Sequence, residues 1–155
     1  MTRDDDRLAT LTDGFREIAI EAFERMNADD ELRGMGIKHV FVVEGRRALP
    51  TQMAYFSRSR MAPANVLAMY RAAGLAPITG AEALRPVTWT LDSKHLAGLS
   101  MDLAPSRDGR TIWWGAPPEV WHRMGLIGQA YGLECGLDWP ADKKDPGHYE
   151  TKRTA

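Results

Sequence analysis

From Leu8 onward the apolar residues Leu8, Leu11, Phe15, Ile18, Ala19, Ala22, Phe23 and Met26 return every three or four positions, the spacing of one helix face. Thr12 or Asp13 suits the N-cap, so the spacing predicts a helix over 13–27. Lys38 to Glu44 (KHVFVVE) is β-branched and aromatic, and Gly45 closes it, which predicts a buried strand. Residues 50–60 read as a helix with Pro50 in its first turn, and 64–73 as a helix ended by a C-cap at Gly74. Residues 75–86 hold two prolines and one glycine and read as a loop. Val87 to Leu91 (VTWTL) alternates like a strand. Leu99–Ala104 and Thr111–Trp114 flank Ser106-Arg107-Asp108-Gly109, whose Asp-Gly pair signals a hairpin. A helix opens at Pro117 or Pro118 and runs to Gly132. The last thirty residues carry turn signals and no long period. The order α-β-α-α-β-β-β-α-coil predicts an α+β fold, a small antiparallel sheet with flanking helices, in one domain over 1–155. Residues 1–7 and 151–155 are expected to be flexible ends.

Composition changes this picture little and excludes much. At 155 residues and 44% apolar, the chain can bury one sizeable core without staples. A formal charge of −1 removes the basic excess that nucleic-acid binding would need. One cysteine, Cys135, rules out an internal disulfide. The acidic start Asp4-Asp5-Asp6 lacks the basic head and apolar run of a secretory signal, and no apolar run approaches the ~18 residues of a membrane span. These features lead us to expect synthesis in the cytoplasm, no membrane insertion, a monomer, and release by another agent if the protein acts elsewhere.

Two separated pieces hold the chemistry: Ser93-Lys94-His95-Leu96-Ala97-Gly98-Leu99-Ser100-Met101-Asp102 and Asp145-Pro146-Gly147-His148. They offer two imidazoles and one carboxylate, with a second carboxylate three residues before the last imidazole. That is the inventory of a catalytic zinc site with an open position for water and a base beside it. His95 is expected on a loop or bend leading into the strand of Asp102, with Gly98 turning the backbone between them. Asp145-Pro146-Gly147 also reads simply as a turn, and both readings can hold together.

The same pieces resemble the zinc-dependent D-Ala-D-Ala carboxypeptidase and L-alanyl-D-glutamate endopeptidase family (VanY-like), which includes phage endolysins. The pattern is Ser-x-His-x-x-Gly-x-x-x-Asp followed by Asp-x-x-His. Glu44-Gly45-Arg46-Arg47 through Gln52 and Tyr55-Phe56 to Arg60 is similar to a second family block. Gly125 to Glu134 with Asp138-Trp139 is similar to a further one. The resemblance covers about residues 8–150. It implies a hedgehog/DD-peptidase-like fold, one zinc ion held by His95, Asp102 and His148, Asp145 as general base, and Arg47 as the cation for the transition state. Ser93 and Gln52 would shape the site or contact substrate, although a plain helix hydrogen bond explains Gln52 as well. The implied partner is the stem peptide of peptidoglycan, cut between L-Ala and D-Glu by a phage or prophage lysis enzyme that acts in the periplasm or cell wall. A D-Ala-D-Ala carboxypeptidase or dipeptidase, and a non-catalytic zinc-stabilised virion or binding module, are the alternatives.

Cys135 stands where the family usually has Trp, Leu137 where it has Gly, and Lys94 where an aromatic is common. The segment Met61–Pro86 is longer than the family connection and reads either as a lid or wall over the cleft or as structural padding. His39 and His122 read as structural or surface residues, Cys135 lacks a base for a nucleophilic role, and one of Trp113 and Trp114 is expected in the core. Glu150 shares the face of His148 in an extended segment and is the reserve candidate for the base.

Overall fold

The structure is a computed structural model that describes residues 2–152, which fall into two compact units, one running to Arg46 and resuming at Ala97, the other spanning Arg47–Leu96. The first unit opens with helix α1 (Arg3–Leu8), where a flexible end was expected. Thr2 and Asp5 form a reciprocal capping box that satisfies otherwise orphaned backbone groups. Buried Asp4 then accepts from the Val42 backbone N–H at 2.8 Å and pairs with His39 Nε2 at 2.8 Å, which gives His39 its structural role. Helix α2 (Asp13–Asn27) has the bounds the periodicity predicts and buries Phe15, Ala19, Ala22 and Met26. A short helix α3 (Asp30–Gly34) follows, capped by buried Asp29, which also takes two bonds from Arg123.

Strand β1 (His39–Glu44) starts one residue later than the sequence reading. The second unit holds α4 (Leu49–Ser57), α5 (Pro63–Ala72), α6 (Gly80–Ala83) and most of the turn α7 (Lys94–Ala97), within which the division between units falls. Ala54, Val66, Tyr70 and Ala83 form a separate small core here, so the long segment after Met61 brings its own packing. Residues 75–86 contain α6 rather than loop throughout, started by a Thr79–Glu82 capping box. Val87–Leu91 is not a strand. Its threonines are held by a side chain, with the Gln52 amide donating to the Thr88 hydroxyl at 3.1 Å and the Thr90 carbonyl at 2.7 Å.

The remaining elements return to the first unit: β2 (Ser100–Ser106), α8 (Pro118–Ala130), β3 (Leu133–Cys135) and β4 (His148–Thr151). The sheet is antiparallel throughout, in the order β1-β2-β4-β3. No hairpin forms at Asp108-Gly109. Instead the Asp108 carboxylate takes the backbone N–H groups of Arg110 and Thr111, each at 2.8 Å, and Thr111–Trp114 does not become a strand. Trp113 packs against the core and Trp114 is exposed. The final segment holds two strands where coil was expected, and Thr151 lies in β4 rather than in a frayed end; residues 153–155 lie outside the described part.

One face of the sheet presents Val40, Val42, Met101, Leu103, Leu133, Cys135 and Tyr149 to α2 and α8 in the main core. Truncating Met101 or Leu103 to alanine should cost about 2–5 kcal/mol. Because side chains alternate along a strand, Ser100, Asp102, His148 and Glu150 fall on the opposite face. A bulge at Val43 steps the register from Val42↔Leu103 to Glu44↔Asp102, next to the position where chemistry was expected.

Candidate metal centre

Asp102 and His148 are directly opposed Cα partners on adjacent strands, so their side chains leave the sheet together. Asp102 Oδ1 lies 3.1 Å from His148 Nδ1. His95 sits not on an open loop but on the helical turn α7, 2% exposed. Ser93 caps that turn, its hydroxyl accepting from the His95 N–H at 3.2 Å. Gly98 then reverses the chain at φ 72°, as its place in the sequence suggests, and its carbonyl accepts from Thr12. The ligand atoms of His95, Asp102 and His148 all lie within 4.8 Å of one another.

These donors fit zinc. Ligands about 2.0–2.1 Å from a tetrahedral ion stand about 3.3 Å apart, close to the Asp102–His148 separation, and two imidazoles with one carboxylate suit a borderline-soft cation. Burial alone would lower the pKa of His148. Hydrogen bonds donated by the ring to Asp102 and Glu150, with the charges of Asp102 and Asp145, outweigh it and push the ring up to about 9.

Asp145 opens a four-residue turn in which the His148 N–H donates to the Asp145 carbonyl at 3.2 Å. Pro146 and Gly147 occupy the central positions, with Gly147 at φ 98°, the arrangement a type II turn requires. The Asp145 carboxylate stands 4.0 Å from His148 Nδ1 with its side chain 58% exposed. The turn and a carboxylate beside the donors therefore coexist. Glu150 lies at the other edge of the same ring, Oε1 to Nε2 3.2 Å. Trp139 packs on His148 at 4.9 Å between ring centroids, an apolar wall that only the Asp138-Trp139 block hinted at.

Within the second unit, the Arg47 backbone N–H donates to the His95 carbonyl at 2.9 Å. Its guanidinium donates to Gln52 Oε1 at 2.6 Å and lies 4.9 Å from the centre of the Tyr55 ring. Gln52 is fully buried and bonded at both ends of its amide. Arg46 lines an open hollow of about 620 Å³ with Thr10, Thr12, Asp13 and Arg16. Cys135 is buried, and desolvation raises its thiol pKa, the reverse of what a nucleophile needs. His122 is exposed on α8.

No family model and no curated protein matches the sequence. The solved structures do. The fold is similar to the Serratia marcescens L-Ala D-Glu endopeptidase ChiX, with a TM-score of 0.58 at 18% identity over 97% of this chain and 87% of that one. It is similar to the vancomycin resistance D,D-pentapeptidase VanY from a VanB-type cassette in complex with Zn(II), with a TM-score of 0.52 at 20% identity over 91% and 72%. VanYB in complex with D-alanine-D-alanine gives a TM-score of 0.51 at 21% identity over 91% and 71%. The chain has the fold of these peptidases.

Proposed function

We propose that this chain is a zinc-dependent peptidase that hydrolyses the stem peptide of bacterial peptidoglycan between L-Ala and D-Glu. The observation that carries the reading is the convergence of His95, Asp102 and His148 within 4.8 Å, on a fold shared with ChiX and VanY. Three protein ligands leave a fourth position for water, whereas a purely structural site is closed by a fourth protein ligand.

Zinc held by these residues would act as a Lewis acid and would bring the pKa of a bound water down to about 7. Asp145, a carboxylate not needed as a ligand, takes the proton of the attacking water and returns it to the departing amine. Arg47 stabilises the developing oxyanion. Its bond to Gln52 fixes the guanidinium, and its planar fork stays charged at every working pH. Ser93 holds the turn of His95, and Gln52 holds Arg47, so both shape the site from behind. The biological setting that fits is lysis of a host cell wall by a phage or prophage enzyme.

Digestion of purified peptidoglycan by the zinc-loaded protein tests the reading. A new D-Glu amino terminus is the expected product. Free D-Ala would instead make the chain a carboxypeptidase, the activity consistent with the D-alanine-D-alanine complex of VanYB. No product would leave only a binding module.

A further inference from the structure

We infer that Glu150 is a positioning residue that holds the imidazole proton of His148 on Nε2 and so reserves the Nδ1 lone pair for the metal. The inference rests on the zinc reading above and deepens it. His148 and Glu150 are two apart on β4 and so share a face. β4 is an inner strand, and Glu150 lies between Ser100 of β2 and Glu134 of β3, 5% exposed. A carboxylate buried this deeply is costly unless it is paired. Its Oε1 lies 3.2 Å from His148 Nε2, while Asp102 and Asp145 face Nδ1 at 3.1 and 4.0 Å.

The ring thus has two edges with different tasks. A metal needs a neutral imidazole with a bare nitrogen toward it. With the proton on Nε2, the ring donates to Glu150 and presents Nδ1 beside Asp102. The other tautomer would set a lone pair against the Glu150 carboxylate. A carboxylate behind a ligating imidazole fixes its orientation and raises its basicity. The same geometry separates Glu150 from the general base, because it occupies the edge of the ring away from Asp102 and Asp145.

The test compares wild type, Glu150→Gln and Glu150→Ala for zinc affinity, measured by competition with a chromophoric chelator, after circular dichroism has established folding. Loss of such a partner typically weakens metal binding about 10–100-fold, and Glu150→Ala should fall in that range. Glu150→Gln keeps the size and the acceptor oxygen but not the charge, so it should fold and lie between the two. Long-range ¹H–¹⁵N NMR of zinc-loaded wild type should show His148 protonated on Nε2. Affinity within twofold of wild type in both variants, or a metal-bound Nε2, would overturn the inference while leaving the zinc reading intact. Failure of wild type itself to bind zinc would overturn both.

Discussion

At the scale of the residue, the three carboxylates around His148 differ in exposure and reach. Asp145 is more than half exposed and lies 4.0 Å from Nδ1, where water reaches its carboxylate. Asp145→Asn should therefore keep zinc, as metal analysis would show, and lose about 10²–10⁴-fold in kcat. The imidazole itself predicts a pH dependence. Its ordinary pKa of 6.5 rises to about 9 in the folded chain stripped of metal. Folding thus favours the protonated ring. That contribution to stability is full below pH 6.5, fades as pH rises and is gone above about 9. Thermal melts of chelator-treated protein should show a falling Tm across this window, flattened in His148→Ala. Zinc must displace the same proton, so its affinity should climb over the same window and then level.

At the scale of the element, the turn from Asp145 to His148 carries both the proposed base and a proposed ligand. Gly147 has φ 98°, and a side chain there would strike the Leu103 carbonyl and come within 3.1 Å of the Trp121 ring. Gly74 has φ 72° but open space around it. Gly74→Ala should cost only the left-handed strain of about 1–2 kcal/mol. Gly147→Ala should cost more, and equilibrium urea unfolding of the two variants would measure the difference. Equal losses would mean that the close packing of Gly147 contributes little. Long periodic elements were legible in the sequence: α2 has its predicted bounds, and β1 and α8 lie within two residues of theirs at most ends. Short ones were not. β3 and β4 have three and four residues, too few for a period to emerge. The stretch holding Asp4–Asp6 read as a flexible end because the partners of Asp4, His39 and Val42, lie far along the chain. Asp108-Gly109 carried a genuine turn signal, yet β2 pairs with the distant strands β1 and β4 instead of a local return strand.

At the scale of the whole molecule, each unit has its own core, the larger one around the sheet with α2 and α8, the smaller one around Val66 and Tyr70. The three donors were legible because their residue types match a zinc site and their pattern resembles the zinc peptidase family; the link between Glu150 and Nε2 needed the sheet register, and the link between Arg47 and Gln52 needed the folded second unit. Among the described residues no helix is long and apolar enough to cross a membrane. The central claim is that this fold cuts a stem peptide through one metal ion. Its most direct test is release of new amino groups from purified peptidoglycan by the protein as isolated, after chelation, and after zinc is returned in steps. The account predicts that cleavage stops on chelation and returns in full at one zinc per chain, and that His148→Ala never regains it. Cleavage that persists in the chelated protein, or its absence with one zinc bound per chain, would contradict the account.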